Sequence, residues 1–254
     1  RNIFKFTTLV RQSILITQGF NRASRINWSR HMHKLIEGLH HFQQNVFGTQ
    51  QELFERLSHG QSPETLFITC SDSRINPNLL TQTEPGDLFI LRNAGNLVPP
   101  YGPVAGGEAA TIEFAVKGLK VRDVIVCGHS HCGAMDGLLN PEKTRELPAL
   151  NRWLEHAEVT RSVVEALYPR HQEEERLNVA IQENVLAQME NLRTHPSIAT
   201  ALAAGNIQIH GWVYKIETGE IFGYQPQKGQ FVSIGVQEKS LESPANRRSE
   251  AVSI

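Results

Sequence analysis

The chemistry legible along the 254 residues gathers around three cysteines and the polar residues beside them. Cys70 opens the run Cys70-Ser-Asp-Ser-Arg74, and about sixty residues later comes Cys127-Gly-His-Ser-His-Cys132. Two thiolates and one imidazole form a strong donor set for zinc, and three protein ligands leave a fourth tetrahedral position for water. Zinc lowers the pKa of such a water to about 7, which supplies hydroxide at neutral pH. The expected ligands are Cys70, His129 and Cys132, with Cys127 left in the core. His131 competes with His129. Two intervening residues let His129 and Cys132 span a strand-to-helix turn, whereas the adjacent side chains of His131 and Cys132 tend to point apart, which favours His129.

Asp72 and Arg74 decide whether such a site is open. An aspartate two residues from a ligand can bind the metal itself and close the tetrahedron. An arginine two residues further on can hold that carboxylate in a bidentate pair and keep it off the metal. In the open form Asp72 accepts a hydrogen bond from the water and orients it. Taken singly, Asp72 with Arg74 reads as a structural ion pair, and each cysteine as a small buried hydrophobe. The combination favours the metal site.

Positioning these residues requires strands that end together. Residues 65–69, 87–91 and 121–126 are short apolar runs of the kind found in buried parallel strands. Between and around them, residues 33–57, 76–82 and 108–119 read as helices, 93–107 as a Gly- and Pro-rich loop, and 137–139 as the end of a further helix. Two long helices follow, the second near 175–204 with Leu177, Ile181, Val185, Met189 and Leu192 on one face. Residues 207–224 alternate and carry Thr218-Gly219 at a turn, which predicts a terminal hairpin; the tail from Gln225 is weakly patterned. Strands alternating with helices imply right-handed crossovers and a mostly parallel central sheet flanked by helices. The strand ends of such a sheet converge on one crevice.

Composition excludes several other classes. With 40% hydrophobic residues and a net charge of -1, the chain is not predominantly disordered. Three cysteines cannot staple a fold this long, and near-neutral charge gives no ground for nucleic-acid binding. The longest stretch free of Asp, Glu, Lys and Arg, 194–214, contains His195, Pro196, Gly205, Asn206 and His210, so no membrane span is expected. Residues 1–31 carry six basic side chains and no acidic one. They read as an upstream extension or surface helix, with an organelle-targeting segment as the alternative.

The motifs resemble those of the β-class carbonic anhydrases, whose two signatures are Cys-x-Asp-x-Arg at a strand end and His-x-x-Cys roughly sixty residues later. Here these are Cys70–Arg74 and His129–Cys132, joined by Gly86-Asp-Leu-Phe89, Arg92-Asn-Ala-Gly-Asn96, Pro99-Pro-Tyr-Gly102 and His210-Gly-Trp-Val-Tyr214. The resemblance runs from about Met32 to Tyr224, the span of the expected catalytic domain, with 1–31 and 225–254 as flanks. Within the family, Met32-His-Lys-Leu-Ile-Glu-Gly-Leu39 and Cys127-Gly-His-Ser-His-Cys-Gly-Ala-Met135 are most similar to the carboxysomal enzymes of cyanobacteria. The pattern departs from them in two respects: those relatives often carry a longer C-terminal extension that engages the shell scaffold, and residues 1–31 have no counterpart.

The resemblance implies an α/β fold with an N-terminal helical arm and a C-terminal hairpin, a zinc cofactor on Cys70, His129 and Cys132, and Asp72–Arg74 as the dyad that keeps the site open. It implies reversible hydration of carbon dioxide to bicarbonate by a homodimer unit, or a higher oligomer built from it. It places the chain in the cytoplasm, in a carboxysome, with a shell scaffold protein as partner. Gln61 and Phe89 would line the substrate pocket across the subunit interface, Gln61 by donating a hydrogen bond to a substrate oxygen and Phe89 as an apolar wall. Phe114 stands where many relatives carry Tyr, and Phe67 where the bicarbonate-inhibited subgroup carries Trp. Tyr214 is compatible with that subgroup's second bicarbonate site, and Phe67 argues against it. Three rivals remain: a zinc-clipped scaffold closed by Asp72, a hydrolase of carbon disulfide or carbonyl sulfide, and, more distantly, a thiol redox enzyme, which the lack of a Cys-x-x-Cys pair disfavours.

Overall fold

A computed structural model describes residues 29–103 and 106–235, which fall into two units divided between His59 and Gly60. The first is a helical arm. Ser29 caps α1 (Arg30–His41) by accepting from the Met32 amide, and α2 spans Gln51–Ser58. One continuous helix was expected over 33–57. Instead the chain passes through a π turn at Phe42–Val46 and a 3-10 turn at Phe47–Gln50. Gly48 and Thr49 are weak helix formers, and the Thr49 hydroxyl donates to the Val46 carbonyl. The break lets Phe42, Phe47 and Phe54 meet as a cluster with ring centroids 5.1–6.1 Å apart. Leu35 and Leu39, placed at helical spacing for a core, are each 61% exposed.

The second unit is built on a six-stranded sheet. In chain order it contains β1 (Thr65–Cys70), α3 (Pro77–Thr81), β2 (Leu88–Asn93), α4 (Gly107–Glu113), β3 (Asp123–His129), α5 (Gly133–Leu139), α6 (Pro148–Leu154), α7 (Glu158–Leu167), α8 (Glu173–Arg193), α9 (Pro196–Ala203), β4 (Gln208–Tyr214), β5 (Ile221–Gln225) and β6 (Gln230–Ser233). The spatial order is β2-β1-β3-β4-β5-β6. The first four strands are parallel and the last two antiparallel. Strand β6 adds a third strand to the expected terminal hairpin, in a stretch whose alternation is too short to register in the sequence.

β1 and β3 are buried along nearly their whole length because both faces of the sheet are covered. Leu66, Ile68, Val124 and Val126 face a core shared with Ile181, Val185, Met189 and Leu192 of α8. Phe67, Ile125 and Cys127 face the other way, against Ile75, Leu80 and Trp212. The connection through α3 runs to β2 on one side of β1, and the chain then returns to β3 on the other side. The carboxyl ends of β1 and β3 therefore flank a topological switch point, the crevice where open parallel sheets take ligands.

Helix α8 packs on the sheet against β3 and β4. A capping box between Gln172 and Glu175 opens it, acidic residues fill its first turn, and Arg193 sits in its last. Its C-terminus is abrupt: the expected run to Ala204 is broken because Pro196 starts α9. The helix lies so close to the sheet that a β-carbon at Gly211 would sit 2.9 Å from Val185 Cγ1 and 2.5 Å from Met189 Sδ, and one at Gly128 would sit 3.0 Å from Val185 Cγ2. Among the described residues no helix is long and apolar enough to cross a membrane. Gly211→Ala is expected to force α8 away from β4 and to cost about 1–3 kcal/mol, the range for overpacking, measured by denaturant unfolding.

Candidate metal centre

Three of the sequence's candidate residues converge at the switch point. Cys70 is the last residue of β1, His129 the last of β3, and Cys132 the residue from which α5 starts. Their donor atoms all lie within 4.8 Å of one another, with the two sulfurs 4.0 Å apart, and all three residues are buried. His129 Nδ1 donates to the Ser130 carbonyl at 2.9 Å, which fixes the tautomer and presents the bare Nε2 to the sulfurs. That Nε2 is buried and has no hydrogen-bond partner. An unpaired buried acceptor is costly, and a cation held by one nitrogen and two sulfurs would satisfy it.

The sulfurs point to the same occupant. Cys70 accepts the Gly95 amide at 3.4 Å, and its thiol is pulled well below the ordinary range, chiefly by the hydrogen bond from Cys132. Cys132 is pushed well above it, first by that same bond and then by burial. Two thiolates this close repel each other, so the pair ionises together only around a cation. Cys127 lies outside the cluster; burial pushes its thiol up to about 12, which makes it inert.

Histidine 131 is not brought to the sulfurs. It occupies the left-handed region with φ 56°, its ring is half exposed, and its carbonyl accepts from Arg74 Nη2 at 3.0 Å. The competition between the two histidines is thus resolved in space in favour of His129. Asp72 is clamped by Arg74 from three directions, with Nε donating to Oδ1 at 2.9 Å, Nη2 to Oδ2 at 2.7 Å, and the Arg74 amide to Oδ1 at 2.9 Å. Its Oδ2 stands 3.9 Å from His129 Nε2, so the carboxylate faces the donor cluster while remaining committed to arginine. The Arg74 guanidinium holds the Asp72 carboxyl far below the usual carboxylate range.

Further residues position the site; Arg92 and Gly95 belong to the Arg92–Asn96 run, whereas Trp153, Asn184, Gln188 and Asn191 lie in no motif. Arg92 of β2 donates to the carbonyls of Cys70 and Asp72, at 3.0 and 2.7 Å, and fixes the exit from β1. The loop after β2 is held by amides on α8. Asn184 donates to the Gly95 carbonyl at 2.9 Å, Gln188 accepts the Val98 amide at 2.8 Å, and Asn191 donates to the Val98 carbonyl at 2.9 Å. Trp153 adds a bond to the Ala94 carbonyl. Gly95 itself has φ 82°, which an L side chain rarely adopts, and this turn aims its amide at Cys70. A signal existed: Asn184 and Gln188 interrupt the apolar stripe of α8 on its buried side.

Gln61, Phe89 and Phe114 are not at this cluster. Phe89 and Phe114 pack together with centroids 5.9 Å apart, but Phe89 registers with Leu66, four residues before Cys70. Four residues of strand span about 13 Å. Gln61 lies exposed, ahead of β1. All three therefore belong to the amino-terminal end of β1, opposite the donors.

Fold and site together define an α/β protein with a thiolate–imidazole donor set at the switch point of its sheet. The family model for carbonic anhydrase matches residues 65–221. A carbonic anhydrase of Synechocystis is 49% identical over 83% of this chain and 77% of its own, and one of Pseudomonas aeruginosa is 47% identical over 80% and 92%. The solved β-carbonic anhydrase CcaA superposes with a TM-score of 0.78 at 50% identity, covering 80% of this chain and 99% of that one. Tetrameric β-carbonic anhydrases from Sordaria macrospora give 0.68 at 30% identity, over 82% and 98%. The chain belongs to the β-class carbonic anhydrase family.

The clamp on Asp72 carries a pH signature. Its folded pKa is depressed, so the stability it contributes is fully present above the unfolded value of about 3.9 and is lost as pH falls toward the folded value. The Tm difference between wild type and Asp72→Asn is therefore expected to be constant near neutrality and to shrink below about pH 4.

Proposed function

We propose that this chain catalyses the reversible hydration of carbon dioxide to bicarbonate and a proton, with zinc held by Cys70, His129 and Cys132. The observation that carries the reading is the Arg74 clamp: it withholds the Asp72 carboxylate, so among the described residues the cluster offers three donors and not four. A zinc ion there supplies Lewis acidity that brings the ionisation of a water molecule near neutral pH.

The protein's own residues have distinct tasks in this scheme. Asp72, kept ionised by Arg74, acts only as a hydrogen-bond acceptor and orients the attacking water. Arg74 holds that carboxylate in place. The burial of Cys70, His129 and Cys132 keeps bulk water away from the donors. Gln61, Phe89 and Phe114 line the substrate pocket, Gln61 donating to a substrate oxygen and the two rings giving a nonpolar gas its apolar wall. Because they lie far along β1 from their own chain's donors, they serve the site of a second subunit, and the working unit is a homodimer or a multiple of it. The clip reading, with Asp72 as a fourth ligand, is disfavoured by three hydrogen bonds that would have to break. The likeness of residues 32–39 and 127–135 to carboxysomal enzymes supports a place in a carboxysome, supplying carbon fixation and contacting a shell scaffold protein.

Stopped-flow hydration with a pH indicator, alongside elemental analysis, tests the reading. Wild type is expected to carry one zinc per chain and to be active at pH 8 and above; a zinc-loaded, assembled protein without activity there defeats it. Cys70→Ala should lose the metal. Asp72→Asn should keep it and lose most turnover, by about 10²-fold, the cost of a misoriented reacting group.

A further inference from the structure

We propose that Glu217, on the turn between β4 and β5, is a positioning residue that holds the two-residue bridge between His129 and Cys132. The inference rests on the metal reading above and extends it to a carboxylate 87 residues along the chain from that bridge.

The bridge consists of Ser130 and His131, and each of its carbonyls restrains a different part of the site. The Ser130 carbonyl accepts from His129 Nδ1 and so sets the imidazole that faces the sulfurs. The His131 carbonyl accepts from Arg74 and so helps set the clamp on Asp72. The bridge has little local support of its own, since His131 is a non-glycine residue in the left-handed region. Its anchorage comes from the hairpin. The buried Ser130 hydroxyl donates to Glu217 Oε2 at 2.6 Å and accepts the Ile216 amide at 2.9 Å, while the Ser130 amide donates to the Tyr214 carbonyl at 2.9 Å. Glu217 Oε2 also stands 3.6 Å from His131 Nε2, and Lys215 flanks the carboxylate at 3.7 Å. One carboxylate thus touches both residues of the bridge without touching any donor atom. The Ser130 carbonyl is the outer partner that orients the ligating imidazole, and Glu217 acts on it at one remove, through the hydroxyl of the same residue.

The test measures zinc affinity of the 254-residue chain by competition with a chromophoric chelator, together with kcat and KM for hydration and Tm. Glu217→Ala is expected to weaken zinc binding about tenfold, the lower end of the range for such partners, and to lower kcat more than KM. Glu217→Gln retains an oxygen for the Ser130 hydroxyl and is expected to restore affinity to within about twofold of wild type. Ser130→Ala should reproduce the loss, and the double variant Ser130→Ala/Glu217→Ala should be no worse than either single one, because both remove the same link. A purely architectural role would lower Tm alike in the Ala and Gln variants and leave zinc affinity alone. Unchanged affinity in both Glu217→Ala and Ser130→Ala overturns the proposal, as does additive loss in the double variant. If Glu217→Ala does not fold, Ser130→Ala and Glu217→Gln decide the matter. Wild type that binds no zinc defeats the metal reading instead.

Discussion

Two thiolates cannot share a dry crevice 4.0 Å apart without a positive charge between them. That repulsion is the constraint around which the second unit is organised. It demands burial to keep competing water out, yet burial alone would simply protonate both sulfurs. The fold meets both conditions by bringing two strand ends together at the switch point and adding a backbone amide, that of Gly95, to the more ionisable sulfur. A single proton can serve the two sulfurs, but it leaves the buried nitrogen of His129 without a partner, whereas a divalent ion would satisfy all three donors.

The charge balance then depends on what is kept away. Asp72 Oδ2 stands 3.9 Å from His129 Nε2, and both carboxylate oxygens are engaged by Arg74. A bidentate pair that is partly open to solvent contributes little to global stability. Its effect is local, since it fixes where the Asp72 carboxylate points. Arg74 in turn leans on the His131 carbonyl, and Arg92 on the carbonyls of Cys70 and Asp72. The clamp is therefore referenced to three carbonyls on two segments of backbone, the exit from β1 and the bridge after β3.

Much of this was legible in the residues. The strands announced themselves as apolar runs between turn signals, and Cys70, Asp72, Arg74, His129 and Cys132 stood out by type and spacing. The choice between His129 and His131 depended on where each side chain points, which spacing only biases. The arm was misjudged because Phe42, Val46 and Phe54 fall at roughly helical spacing, yet Phe42 and Phe54 cluster with Phe47 around a break. Helix α8 was overextended across Pro196 because the apolar pattern continues beyond it. The amides of Asn184, Gln188 and Asn191 were passed over for a different reason. Their partners are main-chain atoms in distant loops, and backbone acceptors leave no trace in side-chain patterning.

The amide stripe on α8 bears on any attempt to make the molecule more robust. Replacing Asn184 and Gln188 with leucine would continue the greasy face of the helix and raise its packing energy, so a designer scoring the core alone would accept both changes. Those same swaps would release the main chain around Gly95 and Val98, and with it the amide that steadies one sulfur. Thermal hardening and catalytic geometry here draw on the same few side chains, and gains in one are set against losses in the other.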